Sequence, residues 1–352
     1  MKKTSKIFVA GGTGLVGSAI IQNLLAKGYT NIISNYRNCA PSAEHLKLNK
    51  NRLRYEKLDL LKGLKVEEFF KAQKPEYVIL AAAKVGGIVA NNTYRADFIY
   101  ENLQVQNNVI HQSYKHKVKK LLFLGSTCIY PKDAPQPMSE DSLLASPLEY
   151  TNEPYAIAKI AGIKMCESYN IQYGTNFISV MPTNLYGPND NFDLETSHVL
   201  PALLRKMHEA KVNKVERVEI WGSGKPRREF MYSKDMADAC VYLMEKVDFN
   251  DIIGIEALAL AKGEVEASLR KEVRNTHINI GTGVDISIKD LAILIKEIVG
   301  FKGELHFNTD KPDGTMLKLT DVTKLHNLGW RHKMDLGSGI KEMYKWYLSL
   351  NS

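Results

Sequence analysis

Phe8-Val9-Ala10-Gly11-Gly12-Thr13-Gly14-Leu15-Val16-Gly17 decides how the rest of the chain is read. An apolar run ends in a glycine-rich turn, and a helical pattern opens directly after it. Glycine lets the backbone turn tightly and approach a pyrophosphate, while a helix N-terminus offers unpaired N–H groups and the positive end of a dipole. Gly11, Gly14 and Gly17 are spaced GxxGxxG. A glycine triplet alone says little; between a strand and a helix it predicts a dinucleotide site, a merely tight turn being the lesser alternative.

Working outward, short apolar runs alternate with helical patterns: strands at Lys6 to Ala10, from Ile32, near Leu53, at Tyr77 to Ala82, at Lys120 to Gly125 and at Asn176 to Met181, with helices from about Leu15, from Ala96 to His116 and from Pro154 to Tyr173. Buried parallel strands read as such runs, and repeated β-α units predict a doubly wound parallel sheet of Rossmann type. After Asn184 the alternation weakens, which predicts a smaller C-terminal α/β lobe. The expected division gives residues 1–182 to the dinucleotide domain, with returning segments near 229–247 and 277–282, and residues 183–228 and 283–352 to the second lobe. The stretch 249–276 reads as a helical insertion, and 286–299 as an amphipathic helix.

Composition narrows the function classes. The 352 residues are 44% hydrophobic and 24% charged, close to an ordinary globular protein. The net charge of +8 is spread along the chain rather than blocked, which argues against nucleic acid and leaves a basic surface and anionic ligands. Cys39, Cys128, Cys166 and Cys240 form no CxxC pair or zinc spacing, so no metal is expected and reduced thiols are the simplest account. Lys2, Lys3 and Lys6 before an apolar stretch imitate a secretory leader, but glycines interrupt it; with no stretch fit to span a bilayer, a cytoplasmic protein is expected.

Past the glycine turn, a dinucleotide site often places an acid on the ribose 2′-hydroxyl. Ser34-Asn35-Tyr36-Arg37-Asn38 offers Arg37 instead, a fork suited to a 2′-phosphate, so NADP(H) is favoured. Asp59 either contacts the adenine or caps the next helix. Tyr155 and Lys159 lie four apart on a predicted helix and project from one face. Ser126 ends a strand at the carboxyl edge where sheet ligands bind. Tyr155 is assigned as proton donor to a ketone, Lys159 as the cation that lowers the phenol pKa and holds ribose, and Ser126 as a donor to the developing alkoxide.

Ala81-Ala82-Ala83-Lys84-Val85-Gly86-Gly87-Ile88, Ser126-Thr127-Cys128-Ile129-Tyr130-Pro131, Asn152-Glu153-Pro154-Tyr155-Ala156-Ile157-Ala158-Lys159 and Met181-Pro182-Thr183-Asn184-Leu185-Tyr186-Gly187-Pro188 together resemble the GDP-L-fucose synthases, extended short-chain dehydrogenases/reductases. The resemblance implies 3,5-epimerisation and 4-reduction of a GDP-linked 4-keto-6-deoxy sugar, with Cys128 as epimerisation base and His198 as acid. It implies cofactor contacts from the glycine turn through Val16, from Leu60, Ala81 to Ala83, Pro182, Asn184, Leu185 and His198. Substrate contacts follow from Ser126, Asn184, Val199, Leu203, Lys206, Trp221, Arg228, Asp313 and Lys318, with Arg228 on the diphosphate and Trp221 beside guanine. It also implies a homodimer formed through the helices from Ala96 and Pro154. Thr13 stands where some family members carry a basic residue, which leaves the 2′-phosphate to Arg37. Other readings are a GDP-4-keto-6-deoxyheptose C4 reductase, an NAD-dependent nucleotide-sugar 4-epimerase or 4,6-dehydratase, and a non-catalytic nucleotide sensor. A dehydratase would carry an Asp-Glu pair near Cys128, and a sensor has no need of the Ser126, Tyr155 and Lys159 trio.

Overall fold

The computed structural model describes residues 1–38, 40–41, 51–194, 196–253, 272–311 and 313–350. Its main sheet is built from β1 (Ile7–Ala10), β2 (Ile32–Tyr36), β3 (Leu53–Lys57), β4 (Tyr77–Leu80), β5 (Lys120–Leu124), β6 (Phe177–Pro182) and β10 (Ile278–Ile280). All seven are parallel, in the order β10-β6-β5-β4-β1-β2-β3. The order reverses between β1 and β4, and ligands of such sheets bind beyond the strand ends at that reversal.

Side chains alternate across each strand, so β1 feeds two cores. Ile7 and Val9 join the layer of α1 (Leu15–Ala26) and α7 (Ser233–Lys246). Phe8 and Ala10 join the layer of α2 (Gly63–Gln73), α4 (Arg95–Lys115) and α5 (Glu153–Tyr173). Helices therefore cover both faces, which is why the strands read as continuous apolar runs. α3 (Ile88–Thr93) precedes α4, and α8 (Phe249–Ile253) follows α7.

β7 (Asn184–Tyr186), β9 (Arg227–Tyr232), β11 (Asp285–Ser287) and β13 (Leu317–Lys318) form a second sheet, while β8 (Arg217–Trp221) pairs with β12 (Glu304–Asn308). A third core lies among α6 (Val199–Val212), α9 (Ile288–Val299) and α11 (Leu336–Leu350), which pack on these strands. α10 (Thr323–Asn327) lies near β10. β9 pairs within the second sheet, and the chain returns to the first layer with α7, which packs against α1.

Two expectations are corrected. Ile286 is extended in β11 rather than helical, because Ser287 caps the helix that follows: its hydroxyl accepts from Asp290 N–H at 3.0 Å. Asp59 is not the cap of α2, which begins at Gly63 after Lys62. Its carboxylate accepts from Leu61 N–H at 3.1 Å within the preceding turn. Of the expected helical insertion, α8 is seen and residues 254–271 lie outside the described residues. No helix among the described residues is long and apolar enough to cross a membrane.

Candidate active site

The glycine turn is fitted to a close-lying ligand. Gly11 has φ +87°, and a Cβ there would lie 2.8 Å from the Ala82 backbone. The turn is held from below, with Gly11 N–H donating to Asn35 Oδ1 at 2.9 Å and Gly12 N–H to Ser34 Oγ at 3.1 Å. α1 then begins at Leu15 with no side chain capping it at Gly14. Its first N–H groups therefore face the space where a phosphate fits, and Thr13, Val16 and Gly17 lie in the same turn. Gly17 packs its Cα against Gly11, a position closed to any side chain.

Around this turn, Ala81 N–H donates to the Ala10 carbonyl at 3.0 Å, so Ala81, Ala82 and Ala83 leave β4 beside Gly11. Arg37 follows β2 and pairs with Glu101 of α4 at 3.3 Å, leaving half its side chain exposed. Lys84 pairs with the same Glu101. Asp59 and Leu60 sit past the end of β3, with Leu60 buried.

Beyond β5, Ser126 starts a short turn and its hydroxyl accepts from Cys128 N–H at 3.4 Å. Tyr155 and Lys159 lie on the first turns of α5 and face this segment. Lys159 is 3% exposed; its ammonium donates to the Leu124 carbonyl at 2.8 Å and lies 5.7 Å from the Tyr155 ring centroid. Phe98 closes the other side of the phenol edge-on at 6.2 Å.

Burial governs the charges here. It raises the Tyr155 pKa, with the nearby Cys128 adding to the rise and the Ser126 hydroxyl opposing it. It lowers Lys159 to about 8, against the pull of Cys128. In the cofactor-free protein burial therefore dominates the phenol, and the expected lowering by Lys159 belongs to the site with the nicotinamide cation bound. The Cys128 thiol is also raised by burial, opposed by Ser126 and by the ammonium groups of Lys318 and Lys159.

Lys318 brings the second sheet to this cluster. It lies opposite Arg228 in the parallel β13–β9 register. Burial lowers both cations, and Arg228 further lowers Lys318. One guanidinium nitrogen of Arg228 donates to the Thr315 carbonyl at 2.5 Å. Asn184 donates to the Glu229 carbonyl at 2.8 Å, between Pro182 at the end of β6 and Leu185.

The remaining candidates lie further out. His198 holds the N-cap position of α6 without a side-chain cap and is an exposed residue, though the protein around it still lowers its pKa by desolvation. Its strand of chain is tied to the cleft by Gly87 N–H donating to the Thr196 carbonyl at 3.2 Å. No hydrogen bond joins its ring to Cys128 among the described residues. Val199 is exposed beside it, whereas Leu203 is 4% exposed and sits in the third core. Trp221 is 58% exposed, with the ammonium groups of Lys206 and Lys311 at 5.8 and 5.3 Å from its ring. Asp313 holds Ser223 through its N–H at 2.9 Å and its hydroxyl at 2.6 Å.

Sequence reasoning gave no role to Asn35, although it stands in the segment read for cofactor choice, nor to Glu229, the neighbour of Arg228. An amide two positions before Arg37 was the signal available for Asn35. No cluster of His, Cys, Asp and Glu suited to a metal occurs among the described residues.

The chain is similar to known proteins over nearly its full length. The chain is 53% identical over 346 residues to GDP-L-fucose synthase 1 of Arabidopsis thaliana, covering 98% of this chain and 94% of that one. It is 48% identical over 343 residues to the GDP-L-fucose synthase of Escherichia coli K12, covering 97% and 96%. Among solved structures, a GDP-mannoheptose C4 reductase from Campylobacter jejuni with NADP bound matches with TM-score 0.81 and 44% identity, covering 99% of each chain. A GDP-6-OMe-4-keto-L-xylo-heptose reductase from C. jejuni matches with TM-score 0.85 and 44% identity, covering 100% and 99%. The model of the NAD dependent epimerase/dehydratase family matches residues 7–255, from β1 through the glycine turn and the Tyr155–Lys159 helix, and the chain belongs to that family.

Proposed function

We propose that the protein is an NADPH-dependent 4-reductase, and also a 3,5-epimerase, of a GDP-linked 4-keto-6-deoxy sugar. The observation that carries this reading is the convergence of Ser126, Cys128, Tyr155, Lys159 and Lys318 on one cluster beyond the carboxyl ends of β5 and β6, with Cys128 and Lys159 buried and the other three part-buried. Relatives of about half identity named GDP-L-fucose synthase support it.

The residues present fit a dinucleotide. The uncapped N-terminus of α1 and the side-chain-free turn at Gly11 suit its pyrophosphate, and Arg37 suits a 2′-phosphate once it exchanges Glu101 for that anion. When bound, NADPH supplies the hydride. Tyr155 holds its proton in the free protein, as a donor to the ketone oxygen must. Ser126 donates to the same oxygen, and Lys159 holds the ribose and supplies positive charge beside the phenol.

The C4 ketone acidifies the protons on C3 and C5, so the groups that stabilise the alkoxide also stabilise an enolate. Cys128, its thiolate favoured by Lys318 and Lys159, is the base, and His198 is the acid. Arg228 and Lys318 hold the diphosphate, and Trp221 flanks the guanine. The cofactor half is residues 1–182 with α7 and β10, and the substrate half is the remainder. A homodimer forms through α4 and α5, where Tyr100 and Ile157 stand exposed beside a cleft lined by Arg95, Ala96, Ile99, Glu153 and Pro154. The free thiols of Cys128, Cys166 and Cys240 and a nucleotide-sugar substrate support a cytoplasmic location.

Incubation with GDP-4-keto-6-deoxymannose and NADPH in heavy water tests the reading. NADPH oxidation with deuterium at C3 and C5 is expected, and Cys128→Ser is expected to lose the deuterium. The absence of NADPH oxidation overturns it. The two C. jejuni structures favour a second reading, C4 reduction of a GDP-4-keto-6-deoxyheptose. The heptose in place of the hexose, oxidising NADPH without deuterium uptake, identifies that case.

A further inference from the structure

Glu229 has the setting of a residue with a task beyond filling space. It is 0% exposed, yet among the described residues its carboxylate is met by neutral donors alone. Oε1 accepts from Thr282 N–H at 2.6 Å, Gly283 N–H at 2.8 Å and the Thr282 hydroxyl at 3.4 Å. Oε2 accepts from Thr320 N–H at 3.0 Å and the Thr320 hydroxyl at 2.6 Å. A carboxylate removed from water is tolerated only when its lone pairs are answered in this way. Gly281 makes room for it, since a Cβ there would stand 2.9 Å from the carboxylate carbon.

The donors come from different parts of the molecule. Thr282 and Gly283 follow β10 of the main sheet, and Thr320 follows β13 of the second. The Glu229 carbonyl also accepts from Asn184 and, at 3.4 Å, from the Thr183 hydroxyl, where β6 passes into β7. One residue thus joins the carboxyl ends of two main-sheet strands, β6 and β10, to β9 and β13. Arg228 precedes Glu229 on β9, Lys318 lies opposite Arg228, and Thr320 is two residues further on. Successive side chains of a strand point to opposite faces, so the carboxylate is anchored behind the sheet that presents Arg228.

We propose that Glu229 is a positioning residue: by fastening β6 and β10 to β9 and β13, it holds the Arg228–Lys318 cation pair in place beside the Ser126–Tyr155–Lys159 cluster, so that a diphosphate bound by the pair presents its sugar to that cluster. It acts on affinity for the nucleotide end and never touches substrate. The proposal rests on the reading of Arg228 and Lys318 as diphosphate ligands. An amide cannot replace the carboxylate, because its NH₂ would face a group of donors.

GDP binding by calorimetry and NADPH binding by fluorescence, on the full chain, test it. Glu229→Gln is expected to weaken GDP by about tenfold or more and to raise KM for the keto sugar alike, while kcat and NADPH affinity change by less than about threefold. Thr320→Val removes one hydrogen bond of the five and keeps the side-chain shape; a loss of GDP affinity of about threefold to tenfold is expected, and this variant decides if Glu229→Gln does not fold. Unchanged GDP binding in Thr320→Val or in folded Glu229→Gln overturns the proposal, as does equal loss of GDP and NADPH. Arg228→Ala separates the two ideas: if it abolishes GDP binding and the Glu229 and Thr320 variants do not weaken it, positioning alone falls. If the unaltered protein does not bind GDP, both fall.

Discussion

Loss of solvent pushes Tyr155 and Lys159 toward their uncharged forms, and that sets the pH behaviour of the site. A phenol whose pKa lies above 10 remains a proton donor across the working range, while an amine brought down to about 8 loses its charge just above neutrality. The folded pKa of Lys159 lies below the unfolded value of about 10.4, so between about pH 8 and 10.4 the unfolded chain holds more protons. This group therefore disfavours the fold below about pH 8, and that burden lifts as pH rises through the window. For the proposed reduction, kcat/KM reports the free protein and is expected to fall above about pH 8 by about tenfold per unit. Lys159→Met should be slow at every pH and lack that limb. A limb that survives in Lys159→Met assigns it to another group. Tyr155→Phe is expected to lower kcat by about 10²–10⁴-fold with NADPH affinity unchanged, read by stopped-flow turnover beside fluorescence titration.

At the scale of elements, the glycine turn is the part whose geometry leaves least freedom. Gly11→Ala meets a left-handed backbone penalty of about 1–2 kcal/mol before any clash with the Ala82 backbone. Its NADPH dissociation constant is expected to rise by about tenfold or more, and its urea midpoint to fall. Local elements of this kind were legible because their causes are local: apolar runs with helical spacing between them, and glycines at a strand end. Tyr155 and Lys159 share a face through spacing alone. The start of α9 was misplaced because period and amphipathicity run on into Ile286, while a serine hydroxyl two atoms from the chain decides where the helix begins. The role of Asn35 was hidden for another reason, since its partner Gly11 is a strand away. Glu229 is hidden more deeply still, because its donors stand about 50 and 90 residues further along the chain.

Across the whole molecule, the two sheets meet where the site is. Repeated β-α units account for β1 to β6 of the main sheet, while β10 joins beside β6 only after the chain has passed through the second sheet. The packing of the second sheet against its end does not follow from any spacing, and the proximity of Lys318 to Cys128 appears only in three dimensions. The exposed apolar positions on α4 and α5 carry the proposed dimer. Ile157→Glu is expected to give monomers by sedimentation velocity, with the glycine-turn site still binding NADPH. A variant that remains dimeric places the contact elsewhere. In the proposed reaction Tyr155, Lys159 and Ser126 direct a hydride to the C4 ketone of a GDP-linked sugar. NADPH deuterated at both hydrogens of its nicotinamide C4 tests it most directly, through NMR of the sugar product. Deuterium at sugar C4, lost in Tyr155→Phe, is the expected result; NADPH consumption without label at C4, or no consumption with hexose or heptose, would contradict it.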